Sequence, residues 1–303
     1  MIHKSVALAL AALLVGQDAR FDVAKSADAV IVTAGGKEVL RYHLQKPGGT
    51  PLSVESACFF HPLTTPGGTV LTDVGPGDHK HHRGVFLGWV EMHGTKAADF
   101  WGWGQQAPVK DRKVVNKEIT SAIGGETATF RARNEWLAEG TAILREDVQA
   151  TLKKQGAANA LDRVYTLTPD ADVRIARWAF SGFCLRTRKD GTFQAEGPEG
   201  PVKLPTPSHT KPESDWPAAA WYGFTLKLKE GGEISAAVID HPKNPPSLWY
   251  NAVSIGMLNP CIVAPKEVLL RANEPLVLRY RVVAQDGPLS RDLVSKLSEE
   301  WRK

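Results

Sequence analysis

Apolar and polar residues alternate with a period of two along most of this chain, and that pattern suits half-buried strands. Ala128, Phe130, Ala132, Asn134 and Trp136 fall on one face of one such segment. Ala142, Leu144, Glu146, Val148, Ala150 and Leu152 do so in the next. Phe224, Leu226 and Leu228 run into Glu230-Gly231-Gly232-Glu233, and Ile234, Ala236 and Val238 follow. A Gly-Gly turn between alternating runs predicts a β-hairpin. Leu276, Leu278, Tyr280 and Val282 form a further strand, and Val173, Ile175 and Arg177 begin another. With Gly 27 and Pro 20 in 303 residues, turns are frequent. Only the end reads as helix: Ser290 caps it, Asp292 suits its first turn, and Leu293, Leu297 and Trp301 share a face. Strands without β-α alternation predict an all-β chain, a large antiparallel β-sandwich with a short C-terminal helix. The length exceeds the roughly 100 residues of a simple sandwich, so the sheets should be extended or carry insertions.

Residues 1–19 read as an export signal. Lys4 supplies the cationic start, and Val6 to Gly16 is an apolar run too short to span a bilayer. Cleavage is expected near Gln17 or Ala19. Residues 20–303 then form one domain, periplasmic or secreted, with no integral membrane segment after the signal. Lys+Arg 37 against Asp+Glu 33 gives a net charge of +4, too little to imply a nucleic-acid partner. Cys58, Cys184 and Cys261 contain no C-x-x-C pair, which leaves one disulfide with a free thiol, or three buried thiols.

The chemistry concentrates in a segment rich in Gly, Pro, Asp and His. His61, His79, His81 and His82 lie within 22 positions, and Asp73 and Asp78 lie among them. Imidazole at neutral pH either moves protons or holds a divalent metal. In an extended segment His79 and His81 face one way and His82 the other. The same residues also suit a packed corner. Arg83 offers a guanidinium to a carboxylate or a sugar hydroxyl. Trp101 and Trp103, flanked by Gly102 and Gly104, form either a stacking platform or part of the core. His241 ends a strand before Pro242, where polar groups are often presented to ligands. Glu146 shares a face with Leu144 and Val148, so it should be paired or have a raised pKa, with Arg177 and Arg186 as available partners. The Pro-rich stretch Glu196–Pro217 cannot be a helix or a central strand. The chain has no G-x-S-x-G elbow, no phosphate-binding loop and no H-E-x-x-H.

His61-Pro62-Leu63, Asp78-His79, His81-His82-Arg83-Gly84, Asp99-Phe100-Trp101, Asp240-His241-Pro242 with Asn244-Pro245, and Leu278–Val282 together resemble the PmoA-like family of exported bacterial proteins. The family's label, methane oxygenase, implies a membrane subunit with several apolar spans, which this chain lacks. The resemblance therefore implies fold and export and transfers no catalytic residue.

The expected function is a carbohydrate-active protein doing acid/base chemistry on a sugar. His81, His82, Glu146 and His241 would be catalytic. Arg83, Trp101, Arg186 and Trp249 would bind a small-molecule or oligosaccharide ligand. His61 and His79 would hold one divalent metal, if any is used. The alternatives are a non-catalytic carbohydrate-binding module and a structural surface protein.

Overall fold

A computed structural model describes residues 20–53 and 55–303. The expected export signal lies outside the described residues. The chain forms two large antiparallel sheets and one C-terminal helix. One sheet has seven strands in the order Phe21–Lys25, Ala29–Ala34, Lys37–His43, Phe59–Leu63, Val85–Gly88, Gly182–Arg186 and Met257–Leu258. The other has nine, in the order Gly200–Pro201, Gly191–Gly197, Trp221–Leu228, Glu233–Asp240, Leu276–Asp286, Ala158–Thr168, Thr141–Gln155, Thr127–Ala138 and Arg112–Ile123. This is the antiparallel sandwich expected from the alternation, with Arg291–Arg302 as its helix.

The inner faces meet through aromatics. Tyr42 lies 5.3 Å from Phe130, and Phe183 stacks on Tyr280 at 4.2 Å between ring centroids. The hairpin turns at Gly231 and Gly232, whose φ values of 96° and 82° need glycine. Its inner face carries Phe224, Leu226, Ala236 and Val238. Its outer face carries Trp221, Ala237 and Ile239, on which the helix lays Val294 and Leu297. Each of those two buried helix side chains contributes roughly 2 kcal/mol of transfer free energy. Ser290 caps the helix, its Oγ accepting from Leu293 N at 3.3 Å.

The Pro-rich stretch takes edge positions, as a chain short of N–H donors must. It begins at the end of Gly191–Gly197, passes through the outermost strand Gly200–Pro201, and includes a 3-10 turn at Pro212–Ser214. Cys58, Cys184 and Cys261 are all free thiols. Among the described residues no helix is long and apolar enough to cross a membrane.

The seven-stranded sheet is buried on both sides. Val85, Leu87, Phe183 and Leu185 point into the sandwich. Phe59, Phe86 and Cys184 point the other way, into a second cluster with Trp101, Phe180 and Met257. That second cluster is the floor on which the candidate site stands.

Candidate functional site

The segment from Gly75 to Gly84 is not extended. His79 N donates to Pro76 O at 2.9 Å, and His82 N donates to His79 O at 2.9 Å. Two successive turns therefore replace the strand, and the expected division of His79 and His81 from His82 does not occur. All three rings gather together. His82 stacks on His79 at 4.7 Å and meets His81 edge-on at 4.7 Å, with His79 and His81 5.8 Å apart. Gly84 closes the turn at φ 62°, where a Cβ would lie 2.1 Å from Phe60 O.

Arg83 and Asp99 shape the neighbouring loop. Arg83 Nη1 donates to His81 O and Trp101 O, both at 3.0 Å, and Nη2 donates to Phe100 O at 2.8 Å. Its guanidinium also lies 4.1 Å from the Phe86 ring. Asp99 accepts from Gly102 N at 2.7 Å and Gly104 N at 2.5 Å, which curls the Trp101-Gly102-Trp103-Gly104 loop. Arg83 is thus a buried buckle between the histidine turn and the tryptophan loop.

Between turn and loop lies a cavity of about 260 Å³. His79, His81 and His82 form one side. Trp101, Trp103, Phe180 and Tyr250 form the aromatic sides, and Gln105, His209, Ile255 and Met257 complete it. The aromatics are continuous: Trp101 to Phe180 is 5.4 Å, Trp103 to Phe180 is 5.3 Å, and Phe180 to Tyr250 is 5.3 Å. His209, from the Pro-rich stretch, meets Trp103 edge-on at 5.8 Å.

Electrostatics make this an unusual group of histidines. Burial, then the neighbouring imidazoles and guanidiniums, push His81 down to about 3. The same causes push His82 well below its ordinary value. Both are neutral at pH 7, each with one N–H donor and one acceptor. Arg186 Nη1 donates to His82 Nδ1 at 3.1 Å, which leaves the proton of His82 on Nε2. Arg186 Nη2 also donates to both oxygens of Asp78, at 3.0 and 3.2 Å. Asp78 Oδ2 lies 3.1 Å from His79 Nδ1 and 3.0 Å from Lys189 Nζ. Partial burial alone would raise Asp78, but Lys189, His79 and Arg186 hold it well below the usual carboxylate range. An ionised carboxylate therefore backs His79.

The expected site residues separate into three places. His79, His81, His82 and Trp101 line the cavity; Arg83 and Arg186 lie directly behind that wall. Glu146 and Trp249 are inside the sandwich. Glu146 is fully buried and accepts from Asn134 Nδ2 and Trp136 Nε1, both at 3.0 Å, while Asn134 also donates to Tyr42 OH. Burial raises its pKa against those two bonds. The expected partners are engaged elsewhere, Arg177 with Ala264 O and Arg186 with Asp78. Trp249 packs edge-on to Tyr222 at 5.1 Å. His241 is on the far side, edge-on to Trp301 of the C-terminal helix at 5.8 Å. His61 is on the cavity's sheet face, but its Nδ1 is 3.0 Å from Thr72 Oγ1 and its ring is not among the lining groups. Among the described residues no three His, Cys, Asp or Glu side chains are disposed to hold a metal ion. Phe180, Tyr250, Ile255 and Met257 carried no sequence signal, because their approach depends on strand pairing distant in the chain.

The chain belongs to the family of unknown function DUF6807, whose model matches residues 29–299. This corrects the resemblance to PmoA-like proteins: the matching family is one of unknown function and carries no methane-oxygenase description. No curated protein matches the chain. Among solved structures, it is similar to the GH36 α-galactosidase AgaA of Geobacillus stearothermophilus, with 10% identity and a TM-score of 0.40 over 88% of this chain and 41% of that one. A galactose mutarotase related enzyme of Lactobacillus acidophilus gives 7% identity and a TM-score of 0.37 over 88% and 97%. The heparan sulfate lyase HepC of Pedobacter heparinus gives 9% and 0.34 over 86% and 34%. The chain spans about two-fifths of the length of the galactosidase.

Proposed function

We propose that the cavity binds one sugar ring and that His79 exchanges a proton with it. The observation that carries this reading is that three imidazoles and a continuous aromatic wall together line about 260 Å³. That volume lies near the lower end for ligand sites, so a single ring suits it better than a long oligomer. A sugar ring has C–H faces that suit aromatic walls and hydroxyls that both donate and accept. Neutral His81 has one donor and one acceptor for such hydroxyls, and His82, whose Nδ1 is taken by Arg186, has its Nε2–H donor. His79 is the imidazole placed for acid/base work, because its Nδ1 lies 3.1 Å from Asp78 Oδ2 and its ring borders the cavity. Epimerisation, elimination or hydrolysis all require such a proton transfer.

The test is titration with a panel of hexoses, hexuronates and their methyl glycosides, followed by tryptophan fluorescence, with products read by NMR. One member should quench saturably, and Trp103→Ala should abolish the response. His79→Ala should bind within about threefold and lose turnover by on the order of 100-fold or more. No saturable ligand, or full turnover in His79→Ala, overturns the proposal. A non-catalytic binding module is the second reading, favoured by the depression of His81 to about 3, which makes it a weak base. It predicts saturable binding with no turnover in any variant.

A further inference from the structure

Among the described residues, one acid near the cavity has no hydrogen-bond partner. Both carboxyl oxygens of Asp215 are buried and neither takes part in a hydrogen bond. Its place in the fold is exact. Trp216 N donates to Trp249 O at 2.9 Å, and Trp249 N donates to Trp216 O at 3.0 Å. This antiparallel bridge sets residue 215 across from residue 250, and Tyr250 is a wall of the cavity. Upstream, the same Pro-rich segment carries His209 to the cavity. The segment is pinned at its end, where Trp216 Nε1 donates to Pro205 O at 2.8 Å and Trp216 packs edge-on to Tyr222 at 5.2 Å.

We propose that Asp215 is a positioning residue of the cavity: packed dry between the Pro-rich segment and the Tyr250 strand, it keeps the two together and so sets His209 and Tyr250 in the cavity wall. The proposal rests on the reading of the cavity as a ligand site. Its physical basis is that burying a carboxylate without donors costs far more than burying the same carboxyl protonated. Four groups bear on Asp215. Arg177 opposes the effect of burial, but its Nε is spent on Ala264 O. Glu213, in the adjacent 3-10 turn, adds to the effect of burial. Tyr250 and the Cys261 thiol face the same carboxyl and are themselves raised, first by burial and then by Asp215. Burial, with Glu213, pushes Asp215 up to about 8, so it holds its proton at pH 7 and releases it at pH 9. Ionisation then draws water to the carboxylate and parts the Trp216–Trp249 bridge.

The experiment is amide hydrogen exchange at Trp216 and Trp249 in the full chain at pH 7 and pH 9, in the natural protein and in Asp215→Asn. After correction for intrinsic exchange, the natural protein should lose at least tenfold protection at pH 9, and Asp215→Asn should lose none. Equal loss in both overturns the proposal. Should Asp215→Asn not fold, carbon-13 NMR of the natural protein's carboxyls decides: a resonance titrating near 8 supports it, and every carboxyl titrating in the ordinary range overturns it. The effect on ligand is read separately, through the glycoside panel. Affinity of the natural protein should fall about tenfold from pH 7 to pH 9, and Asp215→Asn should flatten that profile. If no glycoside binds, the ligand reading fails, while amide protection still decides the role of Asp215.

Discussion

The two outer faces of the sandwich each carry a turn that begins Asp-His, and they use it oppositely. On the seven-stranded sheet, Asp78-His79 begins a turn whose imidazoles border open space. On the nine-stranded sheet, Asp240-His241 begins a turn that also borders a hollow, of about 360 Å³, but whose polar atoms are spent on one another. Asn244 Nδ2 donates to Asp240 Oδ1 at 2.6 Å and to Arg279 O at 2.7 Å, and Ser247 Oγ donates to Asp240 Oδ2 at 2.6 Å. Arg279 N donates to Asn244 Oδ1 at 2.8 Å, and Lys243 N donates to His241 Nδ1 at 3.0 Å. A His-Pro-rich turn is thus a site only where its donors and acceptors are left over after folding. Residue type does not decide this; the accounting of hydrogen bonds does.

The largest effect should come from the buckle that keeps the first face open. Arg83→Ala leaves the carbonyls of His81, Phe100 and Trp101 without their donor. Removing a charged donor from several buried acceptors should cost on the order of 4 kcal/mol. Urea unfolding measures this, and a loss below about 1 kcal/mol would mean that turn and loop hold together without Arg83. The ligand response should vanish with it.

Acid should distinguish the faces next. His81 is held down to about 3, against an ordinary value of 6.5, so the unfolded chain binds protons that the folded chain refuses. Stability from this group is complete above pH 6.5 and is lost as pH falls towards 3. The natural protein should lose a few kcal/mol between pH 7 and pH 4, and His81→Gln should lose distinctly less. Parallel stability curves for the two would show that His81 is not desolvated.

Between the faces lies Glu146, and its substitution should separate structure from site. Glu146→Gln keeps one acceptor for Asn134 and Trp136 and buries an amide without partners, costing about 2 kcal/mol. Burial has raised this acid, so the natural protein's own stability declines as pH rises above the usual Glu range. The penalty of the substitution should therefore be greatest at low pH. Affinity for the cavity's ligand should not change, and a change above about threefold would connect Glu146 to the cavity.

How much was legible in the chain follows the range of the interactions. Alternation located Thr127–Ala138, Thr141–Gln155 and the hairpin, because the period of a strand is local. Ser290 and the apolar stripe located the helix for the same reason. The histidine turn is evident in its composition, but its shape is not, since the bonds that bend it, His79 N to Pro76 O and His82 N to His79 O, are ones that composition does not reveal. Glu146 was correctly placed on an inward face. Its partners were misassigned because Asn134 and Trp136 reach it across a strand register. Grouping His241 with the other histidines failed at the longest range. Its strand's parity carries Ala237, Ile239 and His241 outward on the sheet that the helix covers, and the cavity is on the other sheet.

That separation makes His241→Ala the smallest prediction and the most direct check of the contrast between faces. The imidazole caps one backbone N–H, that of Lys243, and touches Trp301 edge-on. Asp240, Asn244 and Ser247 keep all their bonds without it. The loss should be under about 1 kcal/mol, the ordinary worth of one hydrogen bond at a partly wet position. Ligand affinity and turnover at the cavity should be unaltered. If His241→Ala abolished turnover while leaving the melting temperature in place, the two faces would have to share one ligand. A sandwich with an apolar core between them gives no route for that, so the assignment of the site to the seven-stranded face would have to be given up.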